Sequence, residues 1–288
     1  MKQLCPFCNN KNSKFIRSVV SPYKDKKYDH YLCNNCNLEF FTPLKFEIEV
    51  YEEEFYDAYK EFHGKREYFP SWSLDLVKLL KKNKIDLNSK NILEIGSGDG
   101  INFELLKKKF KINKEQYSVV ELDKKSIEVC KKRGIKNIFP KIFDNKFASN
   151  HKKKYDIILF TEVLEHQINP KDFLDSVFYL LKKNGLVLIT VPNKNRLFKS
   201  IREATDIPPH HFLRFDKLFF KKNFKKNLYA IGEHNLKLSH LVILSKSASV
   251  RFTRKSILWP LFLPIPIVFY LFGLIPNRGE GLTVILTK

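Results

Sequence analysis

The stretch ILEIGSGDG, residues 92–100, decides the fold of this 288-residue chain. A short apolar run carries the carboxylate of Glu94 and leads into glycines at Gly96, Gly98 and Gly100. Glycine adopts left-handed backbone conformations and lets a ligand approach the main chain closely. A strand that runs into such a turn and then into a helix is typical of the ligand-binding edge of a parallel β-sheet.

Strand and helix patterns alternate on both sides of this loop. Apolar runs predict strands at NILEI (91–95), YSVVEL (117–122), NIF (137–139), YDIILF (155–160) and GLVLITV (185–191). Helical patterns lie between them. We expect Asp123 to cap one helix, and Pro170 to take the first position of another. The alternation predicts the α/β class, with a doubly wound, Rossmann-like parallel sheet.

The glycine spacing indicates which nucleotide the loop binds. A dinucleotide fingerprint, GxGxxG, would need its third glycine at position 101, where this chain has Ile101. The carboxylate of Glu94 would repel a pyrophosphate and suits a ligand with a positive charge on an amino-acid moiety. S-adenosylmethionine carries an ammonium, a sulfonium and no phosphate. Glu121 closes the second strand, where a carboxylate can accept hydrogen bonds from both ribose hydroxyls.

Three longer stretches resemble the successive motifs of class I S-adenosylmethionine-dependent methyltransferases. They are ILEIGSGDG, VVELDKKSIEVCKKRG and YDIILFTEVLEHQINPKDFLDSVFYLLKKNGLVLITVPN, within residues 75–195. The resemblance implies that the sheet ends in an antiparallel hairpin, with GLTVILTK (281–288) as its last strand. The paired cysteines near the N-terminus and DIPPHHFLRFD (206–216) resemble a subset that tailors surface polysaccharides and other small molecules.

The same resemblance assigns residues to the cofactor position by position. It places Glu94, Gly96, Ser97, Gly98 and Gly100 at the methionine moiety, Glu121 at the ribose, Leu122 and Asp144 at the adenine, and Thr161 and Glu162 at the sulfonium. The alternative for each glycine is a tight turn without a ligand.

Four of the five cysteines fall in two CxxC pairs, Cys5–Cys8 and Cys33–Cys36. Four thiolates at this spacing predict a structural zinc ribbon, and disulfides or unrelated thiols are the alternative. The N-terminus has no apolar signal-peptide region, which indicates the reducing cytoplasm. The expected domains are a zinc ribbon at 1–45, a helical connector at 46–72 and a methyltransferase domain at 73–288. Within the last, the cofactor half is 73–195 and the acceptor half 196–288.

A formal net charge of +21 raises the question of a nucleic-acid partner. Most basic residues are lysines scattered as pairs, which is typical of a solvated surface and makes such a partner unlikely. An RNA methyltransferase whose ribbon and lysines bind RNA stays open as an alternative. So does a non-catalytic protein that only binds the cofactor. The sequence leaves the oligomeric state open.

The predicted activity is transfer of a methyl group to a small-molecule acceptor, expected to be a sugar hydroxyl on a nucleotide- or lipid-linked glycan precursor. An oxygen acceptor needs a base to remove its proton. The candidates are His211, His210 and His166. Neighbouring side chains in an extended segment point to opposite sides, so one of the adjacent pair is expected to face the acceptor. We expect it to be His211, and hydrogen bonding within the loop is the structural alternative.

The stretch from Ile257 to Pro276 has no charged residue and is long enough to span a bilayer. Pro260, Pro264 and Pro266 interrupt its first half, which argues against a spanning helix. A buried element that lines the acceptor and a membrane-surface element are the alternatives. The expected location is therefore cytoplasmic, with possible peripheral membrane contact.

Overall fold

Two β-sheets organise the part of the chain that this computed structural model describes. The described residues are 3–21, 25–45, 69–196, 206–234, 256–271 and 279–288, with 242, 245 and 249. The small sheet has the strand order β1 (Ser13–Val20), β2 (Lys27–Cys33), β3 (Glu39–Thr42), β9 (Leu213–Arg214). The large sheet has the order β10 (Leu228–Glu233), β11 (Gly281–Thr287), β8 (Leu181–Pro192), β7 (Tyr155–Thr161), β4 (Ile92–Ile95), β5 (Tyr117–Glu121), β6 (Asn137–Pro140).

The large sheet confirms the predicted fold class. Strands β4 to β8 pair in parallel, with β4 between β5 and β7. β11 pairs antiparallel with both β8 and β10, so the predicted antiparallel last strand is confirmed. The strand order reverses between β4 and β7, and open α/β sheets bind ligands at the carboxyl ends of strands beside such a point.

Helices connect the strands as their patterns predicted. They are α1 (Ser71–Lys82), α2 (Ile101–Phe110), α3 (Lys124–Lys132), α4 (Asn145–Asn150), α5 (Pro170–Leu180), α6 (Lys217–Asn223), α7 (Trp259–Phe262) and α8 (Pro264–Leu271). Asp123 caps α3 by accepting a hydrogen bond from the Ser126 amide at 2.6 Å, and Pro170 opens α5. The predicted connector lies outside the described residues up to position 68. Of the helices described, none has the length and apolar character needed to cross a membrane.

The N-terminal unit shares its sheet with the acceptor half of the chain. Strand β3 pairs antiparallel with β9, where Glu39 lies opposite Arg214. The Phe7 ring meets the Phe219 ring of α6 edge-on, with centroids 4.9 Å apart. The Asn223 side-chain amide donates to the Cys36 carbonyl at 2.9 Å. The predicted ribbon is therefore packed against residues 212–224 over a common apolar core.

Asp216 holds this junction together. Its carboxylate caps α6 by accepting from the Phe219 amide at 2.8 Å. The side-chain amide of Asn37, the residue that follows Cys36, lies 2.9 Å from both carboxylate oxygens. The ammonium of Lys194 lies 3.4 Å from the same group and donates to the Asn37 carbonyl at 2.8 Å. Because Asp216 and Lys194 are both buried, each needs the other's charge.

Replacing Asp216 by alanine tests this junction. Asp216→Ala removes a helix cap and leaves Lys194 short of one buried partner, so we expect the free energy of unfolding to fall by about 2–4 kcal/mol. Asp144→Ala is the matched control, because Asp144 caps α4 in the same way but is exposed. It should cost about 1 kcal/mol. Chemical denaturation measures both, and equal losses would contradict the role of the junction.

Candidate active site and zinc site

The glycine loop after β4 uses the backbone freedom of its glycines. Gly96, Gly98 and Gly100 have φ angles of +66°, +52° and +74°. A side chain on Gly96 would also bring a Cβ within 2.8 Å of the Val163 side chain. The Gly96 amide donates to the Val120 carbonyl at 2.8 Å, which ties the loop to β5. The loop therefore lies flat across the carboxyl ends of β4 and β5.

Glu94 lies beneath this loop with its side chain fully buried. Its carboxyl group accepts hydrogen bonds at 2.7 Å from the Asn102 amide and from the Tyr117 hydroxyl. Burial raises the pKa of Glu94 to about 8, and the two hydrogen bonds oppose that rise. The Asn102 amide also donates to the Thr161 hydroxyl at 3.0 Å. Glu94 therefore supports the loop from below and joins it to the end of β7.

Glu121 closes the loop from the side of β5. One of its carboxylate oxygens accepts from the Gly98 amide at 2.7 Å. The other accepts from the amides of Leu122 and Asp123 at 2.8 and 3.0 Å. Burial raises the pKa of Glu121, and these three amide donors oppose the rise. A carboxylate has about four acceptor positions, so about one remains for a ligand hydroxyl.

Arg133 holds the outer rim of the loop. Its guanidinium donates to the Asp99 carbonyl at 2.7 Å and lies 3.2 Å from the Asp99 carboxylate. Cys130, on the preceding turn of α3, is buried, and its thiol lies 3.3 Å from the Gly98 carbonyl. Asn102, Tyr117 and Arg133 were missed by sequence reasoning, because nothing local marks a long-range support of a loop.

The other predicted cofactor residues lie along the same edge. Thr161 ends β7, and Glu162 follows it with a φ of +55° and accepts from the Thr190 hydroxyl at 3.0 Å. Ser97 is buried within the loop. Asp144 lies beyond the end of β6, and its carboxylate accepts from the Phe147 amide at 2.7 Å. Asp144 therefore has a structural role as a helix cap, which the sequence analysis did not predict.

A second group of polar side chains forms around the DIPPHHFLRFD segment. The Nδ1 atom of His211 lies 2.9 Å from the carboxylate of Asp206. Arg196 donates to that carboxylate at 2.7 Å, and Arg214 approaches it to 3.2 Å. Burial alone would raise the pKa of Asp206, but the hydrogen bond from His211 and the guanidinium groups of Arg214 and Arg196 hold it below its ordinary value. Asp206 is therefore ionised.

Three more groups border His211. The carboxyl group of Glu165 is fully buried, has no hydrogen-bond partner among the described residues and lies 4.0 Å from His211 Nε2. Burial raises its pKa well above the ordinary value. Burial also lowers the pKa of His166 to about 3 and that of His210 to about 4, and His211 adds to both shifts. Ligand atoms of Glu165, His166 and His211 lie within 4.8 Å of one another, a spacing that a cation would also accept.

Comparison with known proteins identifies this arrangement. A family model described as a methyltransferase domain matches residues 63–227, which is more than half of the chain. The chain belongs to this methyltransferase family. It is an S-adenosylmethionine-dependent methyltransferase of the class I fold, as the sequence motifs predicted.

Two relatives in sequence show the range of similarity. The methyltransferase is 37% identical over 128 residues to a ubiquinone biosynthesis O-methyltransferase of Pelagibacter ubique, covering 42% of this chain and 50% of the relative. It thus spans about half the length of that relative. It is 28% identical over 192 residues to an uncharacterized protein of Methanocaldococcus jannaschii, covering 65% of this chain and 84% of the other.

Solved structures share the fold at low sequence identity. A SAM-dependent methyltransferase from Archaeoglobus fulgidus aligns with a TM-score of 0.54 and 18% identity, over 82% of this chain and 100% of that one. A phosphoethanolamine N-methyltransferase from Haemonchus contortus, solved with S-adenosyl-L-methionine, gives 0.54 and 15%, over 87% of this chain and 61% of that one. At these identities the likeness concerns the fold alone.

The chemistry of the loop fits this cofactor. The partly exposed carboxylates of Glu121 and Glu162 border the carboxyl edge of β5 and β7, and beside them the carboxylate of Asp99 pairs with Arg133. An edge with an excess of acidic groups favours a ligand with ammonium and sulfonium charges over a phosphate. These groups would suit the ribose hydroxyls and the positive charges of the adenosine cofactor.

The four predicted zinc ligands lie together. The sulfurs of Cys5 and Cys36 are 3.5 Å apart, those of Cys8 and Cys33 are 3.6 Å apart, and all four lie within 4.8 Å of one another. A tetrahedral zinc ion with four thiolates separates its sulfurs by about 3.8 Å, so the cluster fits a structural zinc. Asn9 and Asn37, each the residue that follows a CxxC pair, have φ angles of +55° and +67°, which lie in the left-handed region.

Zinc content gives the first prediction for this region. The purified protein should carry about one zinc per chain by elemental analysis, and Cys36→Ser should lose it. Because β3 pairs with β9, loss of zinc should raise hydrogen exchange in residues 212–216 as well as in the ribbon, while β4 and β5 keep their protection. Cys130→Ser is the matched control and should retain the metal. A metal-free wild type with a protected N-terminus would refute the zinc site.

Cofactor affinity gives the second prediction. Glu121→Ala removes the acceptor expected at the ribose and the anchor of the Gly98 amide. We expect binding of S-adenosylmethionine to weaken by about 1.5–3 kcal/mol for each charge-assisted bond lost, measured by calorimetry. Glu115→Ala removes the same charge beside the opposite end of β5 and should leave affinity unchanged. Wild-type affinity in Glu121→Ala would remove Glu121 from the site.

Proposed function

We propose that this methyltransferase transfers the methyl group of S-adenosylmethionine to a hydroxyl oxygen of a small-molecule acceptor, with His211 as the base. The observation that carries the proposal is the hydrogen bond between His211 Nδ1 and the Asp206 carboxylate. The bound cofactor supplies an electrophilic methyl group. The chain must align the acceptor and accept its proton.

The contact with Asp206 selects the useful tautomer of His211. An ionised carboxylate accepts a hydrogen bond, so the Nδ1 atom carries the proton and Nε2 keeps its lone pair. A histidine held in this way can take a proton from a hydroxyl, and the resulting imidazolium is stabilised by the carboxylate. Arg196 and Arg214 fix the position of Asp206 and hence the orientation of the ring.

The surroundings of His211 favour it over the other two histidines. Its side chain is 18% exposed, so its ring can reach an acceptor. The Nδ1 atom of His166 is engaged with the His210 carbonyl, and the lowered pKa values of His166 and His210 make both poor proton acceptors. The raised pKa of Glu165 keeps this carboxyl group neutral, so it does not attract the proton away from His211.

The acceptor hydroxyl is proposed to belong to a sugar on a nucleotide- or lipid-linked glycan precursor. Support comes from the resemblance of the paired cysteines and of residues 206–216 to small-molecule tailoring enzymes. The Pelagibacter ubique relative is named as an O-methyltransferase, which supports oxygen as the accepting atom.

Incubation with methyl-labelled cofactor and fractionated lysate tests the acceptor class. Label in glycan precursors would support it, whereas label confined to RNA would replace it with RNA methylation.

The base gives a prediction of its own. His211→Ala should lower the methylation rate by about 100-fold or more and leave cofactor affinity unchanged. Asp206→Asn should also lower the rate, because an amide does not enforce the same tautomer. The matched control is His210→Ala, which should retain most of the rate. If His211→Ala keeps near-full rate on the native acceptor, His211 is not the base.

The pH profile of the wild type should agree with this assignment. His166 and His210, with pKa values of about 3 and 4, stay neutral at every pH above that range. A base must be neutral to accept a proton, so either of these two histidines would still act as a base down to a pH of about 4. A wild-type rate that stays constant down to that pH and falls below it would therefore favour His166 or His210 over His211 as the base.

A further inference from the structure

Helices α7 and α8, and the 3-10 turn before them (Ser256–Leu258), carry exposed apolar side chains. Ile257 in that turn, Leu261 on α7, and Ile265 and Val268 on α8 are 79%, 73%, 55% and 46% exposed, respectively. The spacing of four and three residues from Leu261 to Val268 places the last three on one face of a helix, and Ile257 precedes them by about one further turn. Leu263, between the two helices, keeps helical dihedral angles of −63° and −38°. We call these four side chains the apolar row. Soluble proteins seldom expose a continuous apolar surface without a partner for it.

The charge of the surrounding sequence indicates that partner. Residues 235–278, between β10 and β11, contain no aspartate and no glutamate. They contain six basic residues, namely Lys237, Lys246, Arg251, Arg254, Lys255 and Arg278. An apolar helix face in a purely basic sequence is the composition of segments that lie on anionic membrane surfaces. An anionic bilayer matches both features at once, because it offers negative headgroups beside an apolar interior.

The described residues on either side of this segment lie at the acceptor edge of the large sheet. The His234 amide donates to the Gly281 carbonyl at 2.9 Å, so the residues before and after the segment are adjacent. Gly281 pairs with Pro192, at the carboxyl end of β8. The Glu280 carboxylate lies 3.8 Å from Arg196, which binds Asp206 and through it His211. The two attachment points of the segment therefore lie at the edge of the sheet that carries the proposed base.

We propose that the apolar row docks this methyltransferase on an anionic phospholipid bilayer. The four side chains enter the boundary between headgroups and acyl chains, and the basic residues of the segment contact the lipid phosphates. This position brings the acceptor edge to the membrane surface, where the acceptor is carried on a lipid. That last step rests on the proposed function, whereas the docking itself does not.

Co-sedimentation with vesicles tests the docking. The full-length protein should pellet with vesicles that contain phosphatidylglycerol and much less with vesicles of phosphatidylcholine alone. Part of the binding should survive high salt, because apolar insertion is not screened. Leu261→Asp combined with Ile265→Asp should weaken vesicle binding at least about tenfold. Complete release by salt, or unchanged binding of this double variant, would overturn the proposal.

A charge-matched control separates the apolar row from net charge. Leu218→Asp combined with Tyr229→Asp adds the same two charges at positions that are 55% and 52% exposed on α6 and β10. This variant should bind vesicles like the wild type, and a loss equal to that of the first variant would refute docking through the apolar row.

Analytical ultracentrifugation without lipid should give the same mass for all three proteins. A wild-type dimer that the Leu261/Ile265 variant abolishes would assign the apolar row to contact between two copies.

An inactive variant distinguishes failure of the docking from failure of the proposed function. His211→Ala should bind anionic vesicles like the wild type. If the wild type methylates a hydroxyl acceptor in solution but ignores vesicles, the docking is wrong and the proposed function stands. If it binds vesicles through the apolar row but methylates no hydroxyl acceptor, the docking stands and the proposed function is wrong.

Discussion

The buried carboxylate of Asp206 is the point at which the separate parts of this chain meet. A buried anion is costly unless positive groups and hydrogen-bond donors surround it, and here two guanidinium groups and one histidine ring do so. Arg196 follows β8 of the large sheet, Arg214 lies on β9 of the small sheet, and His211 lies in the loop between them. Movement of one sheet or of the loop relative to the others would therefore leave a buried charge without its partner.

The cofactor side of the molecule depends on a different kind of interaction. Main-chain amides and glycine conformations shape the loop after β4, and the carboxylates of Glu94 and Glu121 hold it from below and from the side. These partners lie on neighbouring parallel strands, so the sheet itself brings them together. The described residues of the acceptor side are not brought together by neighbouring parallel strands. They are held by ion pairs between segments that are far apart in sequence.

This difference explains what the sequence could and could not predict. The glycine loop, the doubly wound parallel sheet and the cap residue Asp123 follow from local patterns, and all were predicted, whereas the antiparallel last strand was implied by the family resemblance. Asp206 begins the DIPPHHFLRFD segment, but no role was predicted for it, because its partners Arg196 and Arg214 approach it only in the folded chain. Glu94 was expected to face the cofactor. No periodicity could show that Asn102 and Tyr117 would enclose its carboxyl group.

The N-terminal unit, with its four clustered cysteines, also supports the acceptor side of the molecule. Its strand β3 pairs with the two-residue strand β9, which is too short to be stable alone. The ring of Phe41 lies 5.2 Å from the guanidinium of Arg214, and the pairing of β3 with β9 fixes that residue's backbone. Arg214 in turn binds Asp206. The N-terminal unit thus helps to position the residue that orients His211.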